Sequence, residues 1–426
     1  MEIPFNVIKD ILVPAIDAGN TSTKLSYITP EGNIESVSIP TVIAEGEKEP
    51  SAIKRSIRST KKNVDLKNIH LRIDSTTAFS GIDEAEGKNT HFVVIGETAK
   101  TMAGSKQPEQ DTDKFKSYIH RVLLLGSLAI AAWRTGKGEK VTVSLSSGLP
   151  ISEMKKNFHT SLLKALVGSH RIEALGGVYT GKMLTLEIRD DSEIQPEGIT
   201  ADFALQFDLQ NGELKELDTL ENLGDTYLIA DMGAGTLDGS LYVDGELDSR
   251  HSDSEFIGTN KYIDQMISEV LALKSVKKQH EEIGGSLPFA TREQFVEEVI
   301  IPTMQDYIER TKKGEEVELT FTAEYGKDHP ITEIVNKHMQ DYVNEVIDFI
   351  QPLAIRHLGR GDKKVVIVGG GLLFGYKFLK EKEAELKERK IELIYPEPIF
   401  EAPNFTSRSY LLSHLVELLE REEVTE

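Results

Sequence analysis

The chain has 426 residues, of which 39% are hydrophobic and 28% are charged, a composition typical of soluble globular proteins and long enough for two large domains. Its formal net charge of −21 opposes direct binding along nucleic acid, and the lack of cysteine excludes disulfides, thiolate catalysis and zinc–thiolate sites. No apolar run reaches the roughly 20 residues that span a bilayer, and the amino terminus lacks the blocks of a signal peptide, so we expect a cytoplasmic protein without a membrane partner.

The first half opens with three predicted strands. Residues 11–16 form the first, residues 24–28 return after a loop, and residues 34–39 follow a turn at Gly32 and Asn33. Pro14 falls inside the first strand, where its missing N–H predicts a bulge or an earlier end of the strand.

A basic segment interrupts this acidic chain. Seven lysines and arginines between Lys48 and Lys67 are accompanied only by the acids Glu49 and Asp65. A solvated helix or loop face is the simplest interpretation of this segment, and a binding patch is the alternative.

The rest of the first half alternates strands with a helix. Residues 91–95 are a predicted strand, residues 118–133 a mostly buried helix rich in Leu and Ala, and residues 141–145 a buried strand that runs into residues 146–150. A connector with Pro196 and Glu197 follows, and residues 200–207 have a helical pattern. Proline and acids near a helix start are typical of helix N-termini.

The second half repeats this opening. Residues 227–230 lead into a loop, residues 239–243 return, and residues 244–246 predict a turn. The predicted helices that follow are residues 260–273, 292–310, 331–350, the exposed charged run 377–392 and an acidic amphipathic surface helix of about the last fifteen residues. Residues 364–368 are a buried strand that runs into Gly369-Gly370-Gly371. Strands and helices alternate in both halves, which favours an α/β fold built twice.

Two segments share one pattern at the ends of equivalent strands. They are Asp17-Ala-Gly-Asn-Thr-Ser-Thr-Lys24 and Asp231-Met-Gly-Ala-Gly-Thr-Leu-Asp238. Glycine two places after a strand-end aspartate permits a tight turn that directs backbone N–H groups at an oxyanion, and the aspartate can hold a hydrated cation. One such match is usually an ordinary turn, but the pair predicts two matching half-molecules that bind phosphate.

These loops, the connector with its acid and the late glycine triplet, in this order, resemble the actin and heat-shock-chaperone ATPase superfamily. Within it, the chain is most similar to the plasmid-segregating bacterial actins called ParM. The motifs that carry the resemblance are Ile16-Asp17-x-Gly19-x-Thr21-x-x-Lys24-Leu25, Leu228-Ile229-Ala230-Asp231-x-Gly233-x-x-Thr236-Leu237-Asp238, Pro196-Glu197, Gly148-Leu149-Pro150 and residues 404–410. The chain departs from many relatives in having Gly233-Ala234-Gly235 rather than a doubled glycine, and in extra sequence at residues 168–188 and 315–329.

The resemblance implies an α/β fold class with two ribonuclease-H-like (actin-like ATPase) domains flanking a nucleotide cleft. The first domain would span residues 1–196 and be completed by the C-terminal helix 407–426. The second would span residues 197–406 and carry the nucleotide-binding glycines 369–371. ATP or GTP, together with Mg²⁺, are the implied cofactors.

The resemblance also implies roles for single residues. Glu197, Asp231 and Lys24 would be catalytic, with Glu197 positioning the attacking water and Lys24 near the β- and γ-phosphates. Asp17 and Asp231 would hold Mg²⁺ through waters. The implied nucleotide-binding residues are Asp17, Gly19, Asn20, Thr21, Ser22, Lys24, Gly233, Ala234, Gly235, Thr236, Gly369, Gly370 and Gly371. For Glu197, a mere helix-start acid is the alternative.

The implied function is an ATP hydrolase that assembles head to tail into filaments and segregates plasmid DNA through an adaptor protein on a centromere-like site, without direct DNA binding. A sugar- or acetate-type kinase or a polyphosphatase of the same superfamily is the alternative, although no motif indicates a general base for an acceptor hydroxyl. A chaperone would need a substrate domain for which the 55 residues after Gly371 leave little room. A membrane-attached actin would need a basic face that the apolar start of the chain lacks.

Overall fold

The structure, a computed structural model, describes residues 10–48, 64–108, 113–197, 202–217, 223–284, 289, 291–397 and 399–423. Its backbone contacts divide the chain into two compact units. Unit 1 comprises Met1–Asn222 and Asn404–Glu426, and unit 2 comprises Leu223–Pro403. Most of the basic segment between residues 48 and 67 lies outside the described residues. Within the described ranges, no helix combines the length and the apolar character needed to cross a membrane.

Unit 1 is rich in strands. They are β1 (Ile11–Leu12), β2 (Pro14–Ala18), β3 (Ser22–Ile28), β4 (Ile34–Pro40), β5 (Ile43–Glu45), β6 (Ile69–Asp74), β7 (Thr90–Ile95), β8 (Lys140–Val143), β9 (Ser146–Leu149), β10 (Gly168–Gly177), β11 (Met183–Ile188), β12 (Glu193–Pro196), β13 (Phe207–Gln210) and β14 (Glu213–Glu216). The helices up to residue 222 are α1 (Glu97–Thr101), α2 (Tyr118–Arg134), α3 (Ile151–Lys155), α4 (Phe158–Leu166) and α5 (Phe203–Gln206). The predicted helix over residues 200–207 is thus shorter where it is described, because Phe207 begins a strand.

The first strands of unit 1 belong to two sheets. One sheet has the order β1-β8-β11-β10-β6-β7-β5 and the other the order β12-β9-β2-β3-β4. The chain changes sheets between Leu12 and Pro14, because β1 pairs with β8 whereas β2 pairs with β3 and β9. The prediction of one continuous strand over residues 11–16 is therefore wrong. Pro14, which has no N–H to donate, stands at the first position of β2.

Three strand ends meet at one edge of the second sheet. β2 runs parallel to β9, and β9 runs parallel to β12. The carboxyl ends of parallel strands lie at the same edge of a sheet, so Asp17 of β2 and Glu197, which follows β12, lie at the same edge. The sequence pattern did not predict β9 as a separate strand, because it treated residues 146–150 as the continuation of the strand over residues 141–145.

The helix α2 provides the core of unit 1. Every side chain from Ile119 to Trp133 is buried, and the helix packs against β2 and β3 of one sheet and β7 and β11 of the other. The hydroxyl of Ser117 accepts a hydrogen bond from the N–H of His120 (3.4 Å), which is the N-cap role that serine favours. The predicted buried helix is confirmed, and its continuous apolar surface follows from its place between two sheets.

Unit 2 contains fewer strands and longer helices. Its strands are β15 (Tyr227–Met232), β16 (Leu237–Val243), β17 (Glu246–Leu247), β18 (Asp253–Glu255), β19 (Thr322–Tyr325), β20 (Lys327–Pro330), β21 (Lys363–Val368) and β22 (Ile391–Ile394). Its helices are α6 (Thr259–Ala272), α7 (Lys274–Ile283), α8 (Arg292–Phe295), a π-helical turn at Val296–Ile300, α9 (Ile301–Lys312), α10 (Thr332–His357) and α11 (Gly371–Glu388).

The main sheet of unit 2 has the order β17-β16-β15-β21-β22, and β18 also pairs with β16. β15 is antiparallel to β16 and parallel to β21. The predicted strand over residues 364–368 is confirmed. The prediction of an exposed helix over residues 377–392 is wrong in two respects. Phe378 and Leu379 are buried, and the predicted helix runs too far, because Ile391 begins β22.

The C-terminal helix α12 (Phe405–Glu423) belongs to the core of unit 1 and packs against β2, β9 and α5. Tyr410, Leu411, Leu412 and Leu415 are fully buried. The surface-cover interpretation of this acidic segment is therefore wrong. Beyond this apolar face, Arg421 pairs with Glu193 of β12 and with Glu417 of its own helix, both at 3.0 Å.

The carboxyl of Glu417 gives this contact a pH dependence. Its hydrogen bond with Glu193, together with burial, raises the pKa of Glu417 to about 7. The folded chain therefore holds this proton over a pH range where the unfolded chain releases it, so the contribution of Glu417 to stability is present at acid pH and is lost as the pH rises through about 7. We expect Glu417→Gln to match the wild type in melting temperature below about pH 4 and to exceed it at pH 8. Thermal unfolding at both pH values measures this difference, and a difference of the same size at both would contradict the assignment.

Candidate functional site

The first loop turns between β2 and β3. Asp17 lies opposite Lys24 in the strand register, and the Lys24 Nζ is 3.6 Å from the Asp17 Oδ2. Both side chains are largely buried, at 15% and 16% exposed. A Cβ on Gly19 would lie 2.7 Å from the carbonyl oxygen of Ser22, so the turn admits only glycine there.

Thr41 holds the backbone of this first loop through hydrogen bonds. Its hydroxyl donates to the carbonyl of Gly19 (2.7 Å) and also bonds the hydroxyl of Thr23 (3.0 Å), and its N–H donates to the carbonyl of Thr21 (3.0 Å). Thr41 and Thr23 are fully buried, whereas Asn20, Thr21 and Ser22 remain partly exposed. The loop is therefore preorganised, with its carbonyls engaged on the protein side.

The second loop has the same register in unit 2. Asp231 lies opposite Asp238, and a Cβ on Gly233 would lie 2.8 Å from the carbonyl oxygen of Thr236, just as at Gly19. The Thr236 hydroxyl donates to the Asp238 carboxylate (2.9 Å). The predicted repeat of the two loops is thus present in the backbone. The loops differ in charge, because Asp238 stands where the first loop has Lys24.

The start of α6 supports the second loop. The N–H of Asn260 donates to the carbonyl of Ala234 (2.9 Å), and the N–H of Thr259 donates to that of Gly233 (3.4 Å). Gly233, Ala234, Gly235 and Thr236 are all partly exposed. As in the first loop, backbone carbonyls accept hydrogen bonds from the rest of the unit, while small residues line the accessible side.

The glycine triplet follows β21, beside Asp231. Gly369 has a φ of +85°, and a Cβ there would lie 2.3 Å from the Asp231 Oδ1. A Cβ on Gly371 would lie 2.4 Å from the Tyr342 hydroxyl oxygen, whereas at Gly370 it would meet no atom within 4 Å. The first and third glycines are therefore required by close packing, whereas no close contact with a described residue requires the second.

Tyr342 brings an unsatisfied polar group to this place. Its side chain is fully buried, and its hydroxyl has no hydrogen-bond partner among the described residues. Burial, and to a smaller extent the charge of Asp231, raises the pKa of Tyr342 well above its ordinary value. The hydroxyl is therefore a neutral donor close to the glycine triplet.

Glu197 is held at the edge where β2, β9 and β12 end. Its N–H donates to the carbonyl of Leu149 (2.8 Å), and its Oε1 lies 2.5 Å from the Nζ of Lys114. Burial disfavours the ammonium charge, but the carboxylates of Glu197 and Asp17 outweigh it and raise the pKa of Lys114. Lys114 is therefore a charged member of the site, and the sequence analysis missed it.

Two further buried groups surround Lys114. Glu153 accepts hydrogen bonds from the N–H groups of Lys114 (2.8 Å) and Phe115 (2.9 Å), while burial raises its own pKa. His120 is 3% exposed, and its ring lies within hydrogen-bonding reach of the backbone of Gly19. Burial, and then the charge of Lys114, lowers the pKa of His120 to about 3, so the ring is neutral at physiological pH.

Each unit thus gathers part of the predicted set. Asp17, Lys24 and Glu197 lie at one sheet edge of unit 1, and Asp231 lies beside the glycine triplet in unit 2. Ligands of α/β proteins bind at the carboxyl ends of strands, where turned backbone N–H groups and an ammonium suit phosphate oxygens. Carboxylates suit Mg²⁺, which keeps most of its water ligands. Across the described residues, no three histidine or acidic side chains converge as a direct metal site.

Comparisons with known proteins show which proteins the chain is similar to. Residues 15–199 match the family described as the N-terminal domain of actin-like proteins. Bacillus thuringiensis ParM, solved with ATP, is 33% identical; the match covers 96% of this chain and 100% of that chain, with a TM-score of 0.74. The same protein with AMPPNP gives 32% identity, the same coverage and a TM-score of 0.72.

A more distant structure extends the likeness at the level of the fold. The actin-like protein Alp7A is 16% identical, with 97% of this chain and 98% of that chain covered and a TM-score of 0.61. A comparison with curated proteins gave no match.

Proposed function

Since this chain belongs to the ParM-like family of bacterial actins, we propose that it is an ATPase whose nucleotide-bound subunits assemble head to tail into filaments. The observation that carries the proposal is the pair of loops with the same strand register and the same glycine geometry in the two units. The ParM structures with ATP and AMPPNP support a nucleotide as the ligand.

The side chains and backbone of both loops fit a nucleotide and its cation. In unit 1, Gly19 and the hydroxyls of Thr21 and Ser22 bind phosphate, with Asn20 beside them and Asp17 as a partner for hydrated Mg²⁺. In unit 2, the corresponding residues are Gly233, Ala234, Gly235 and Thr236, with Asp231. Gly369, Gly370 and Gly371 let the backbone pack closely against the base and ribose.

A small set of side chains carries out hydrolysis. When bound, ATP supplies a transferable γ-phosphoryl group, and Mg²⁺ offsets the charge of its oxygens. Lys24 places an ammonium where negative charge accumulates during transfer, and Asp231 keeps the cation in position. Glu197 orients the attacking water through its carboxylate. GTP, which shares the same phosphates, is the alternative nucleotide.

The nucleotide cycle of this ATPase controls the assembly and disassembly of a filament. Head-to-tail contacts join different surfaces of neighbouring subunits, so they do not close and they form an open polymer. Hydrolysis within the polymer weakens those contacts and permits disassembly. The polymer moves plasmid DNA in the cytoplasm through an adaptor protein on a centromere-like site, because a net charge of −21 disfavours direct contact with DNA.

Phosphate release measured over a series of protein concentrations tests this function. A filament-coupled ATPase should release little phosphate per subunit below a critical concentration and more above it. A kinase of the same superfamily should instead turn over at a rate per subunit that does not depend on protein concentration and that rises with a sugar or acetate acceptor. The second result would overturn the proposal.

A further inference from the structure

The ammonium of Lys114 pairs with Glu197 and also feels the charges of two further carboxylates. Its Nζ bonds Glu197 at 2.5 Å, and the charges of Asp17 and Glu153 also act on it. The side chains of Lys114 and Glu197 are 12% and 13% exposed, so the pair is largely removed from water. Desolvation offsets much of the attraction in such a pair, so the pair adds little to the net stability of the fold. Its main effect is on the positions of the two side chains.

We propose that Lys114 is a positioning residue, which holds the Glu197 carboxylate in the orientation needed for its water-directing role. This inference rests on the proposed ATPase function, and it assigns Lys114 no contact with the nucleotide. The bond to Oε1 restrains the position of that carboxylate oxygen. The ammonium also reduces the repulsion that Asp17 and Glu197 would exert on each other at one sheet edge.

The backbone that carries Lys114 is itself fixed. Glu153 accepts the N–H groups of Lys114 and Phe115, and the Arg121 guanidinium, which is 1% exposed, donates to the carbonyl of Phe115 (2.8 Å) and to that of Ala78 (3.1 Å). Hydrogen bonds from side chains of α2 and α3 thus hold the backbone of Lys114 and Phe115. From there the side chain reaches Glu197. Positioning groups that act through a second residue typically have this kind of rigid support.

The test uses variants of the full chain. Lys114→Met removes the ammonium and keeps most of the apolar stem, and Lys114→Arg keeps the charge with a different shape. Lys116→Met is the matched control, because Lys116 is an exposed lysine two residues along the same segment. Each variant is measured for affinity for a fluorescent ATP analogue, for single-turnover ATP hydrolysis and for thermal unfolding.

The proposal predicts a specific split between binding and chemistry. Lys114→Met should lower the hydrolysis rate by about tenfold or more and change nucleotide affinity by less than about threefold. Lys114→Arg should recover part of the rate, and Lys116→Met should match the wild type. In a Glu197→Ala background, adding Lys114→Met should cost no further rate, because both changes remove the same interaction.

Other outcomes would overturn the inference. Multiplying losses in the double variant, or a large loss of nucleotide affinity in Lys114→Met, would assign Lys114 to the nucleotide itself. Should Lys114→Met fail to fold, Lys114→Arg carries the test, and a folded Arg variant with unchanged hydrolysis would contradict positioning. If the wild type hydrolyses ATP and Lys114→Met does so at the same rate, this inference alone is contradicted. If the wild type does not hydrolyse ATP, the proposed function is contradicted.

Discussion

Replacing Glu197 with alanine is expected to slow phosphate release by about 100-fold while leaving ATP-dependent assembly intact. In the proposed mechanism the carboxylate orients the attacking water, whereas the backbone conformation of the first loop is set by Gly19 and Thr41. Nucleotide therefore still binds, and filaments persist longer because hydrolysis no longer weakens their contacts.

Phosphate release and pelleting, measured on the same samples, check this expectation. Glu213→Ala is the control, since Glu213 is an exposed glutamate of the same unit. Glu197→Gln separates chemistry from packing, because it keeps an oxygen for Lys114 and loses the negative charge. Unchanged hydrolysis in Glu197→Ala would sink the role assigned to this residue and would return it to a helix-start acid.

Gly369→Ala and Gly370→Ala are expected to fail in different ways. At Gly369, a φ of +85° and the closeness of Asp231 mean that a methyl group strains the backbone and displaces the carboxylate. We expect a loss of about 1–3 kcal/mol of stability from the strained backbone, together with a loss of nucleotide binding. At Gly370, a methyl group meets no protein atom, so stability should change by less than about 0.5 kcal/mol.

Nucleotide affinity decides the role of the triplet. If the backbone at Gly370 packs against the base and ribose, Gly370→Ala should weaken nucleotide binding although the chain remains stable. Gly361→Ala is the matched control, because a methyl group there also meets no atom within 4 Å. Titration of each variant with a fluorescent ATP analogue, alongside thermal unfolding, measures both quantities. Full affinity in Gly370→Ala would remove this position from the nucleotide site.

Much of the fold is predictable because its signals are local. The buried helix α2 is rich in Leu and Ala, and the two Asp-x-Gly loops follow apolar strands, so their pattern alone indicates their structure. The α/β, actin-like ATPase fold follows from the order of these motifs. The exchange of sheets at Pro14 is not local, since only the pairing with β8 and β9 separates β1 from β2.

The site is less predictable than the fold, and Lys114 illustrates why. It stands 83 residues from Glu197, in a polar segment that matches no motif, and only the strand order brings the two together. Glu153 and His120 were missed for the same reason. The pattern could also not show that the acidic C-terminal helix is a core element, because its charged residues mask the buried row from Tyr410 to Leu415.

Pelleting of the purified full chain, with and without ATP and Mg²⁺, tests the central claim most directly. The claim is that two matched phosphate loops bind a nucleotide that drives assembly. It predicts polymer in the pellet with ATP and none without nucleotide. The absence of polymer with ATP, GTP and non-hydrolysable analogues would contradict it and would favour a small-molecule kinase.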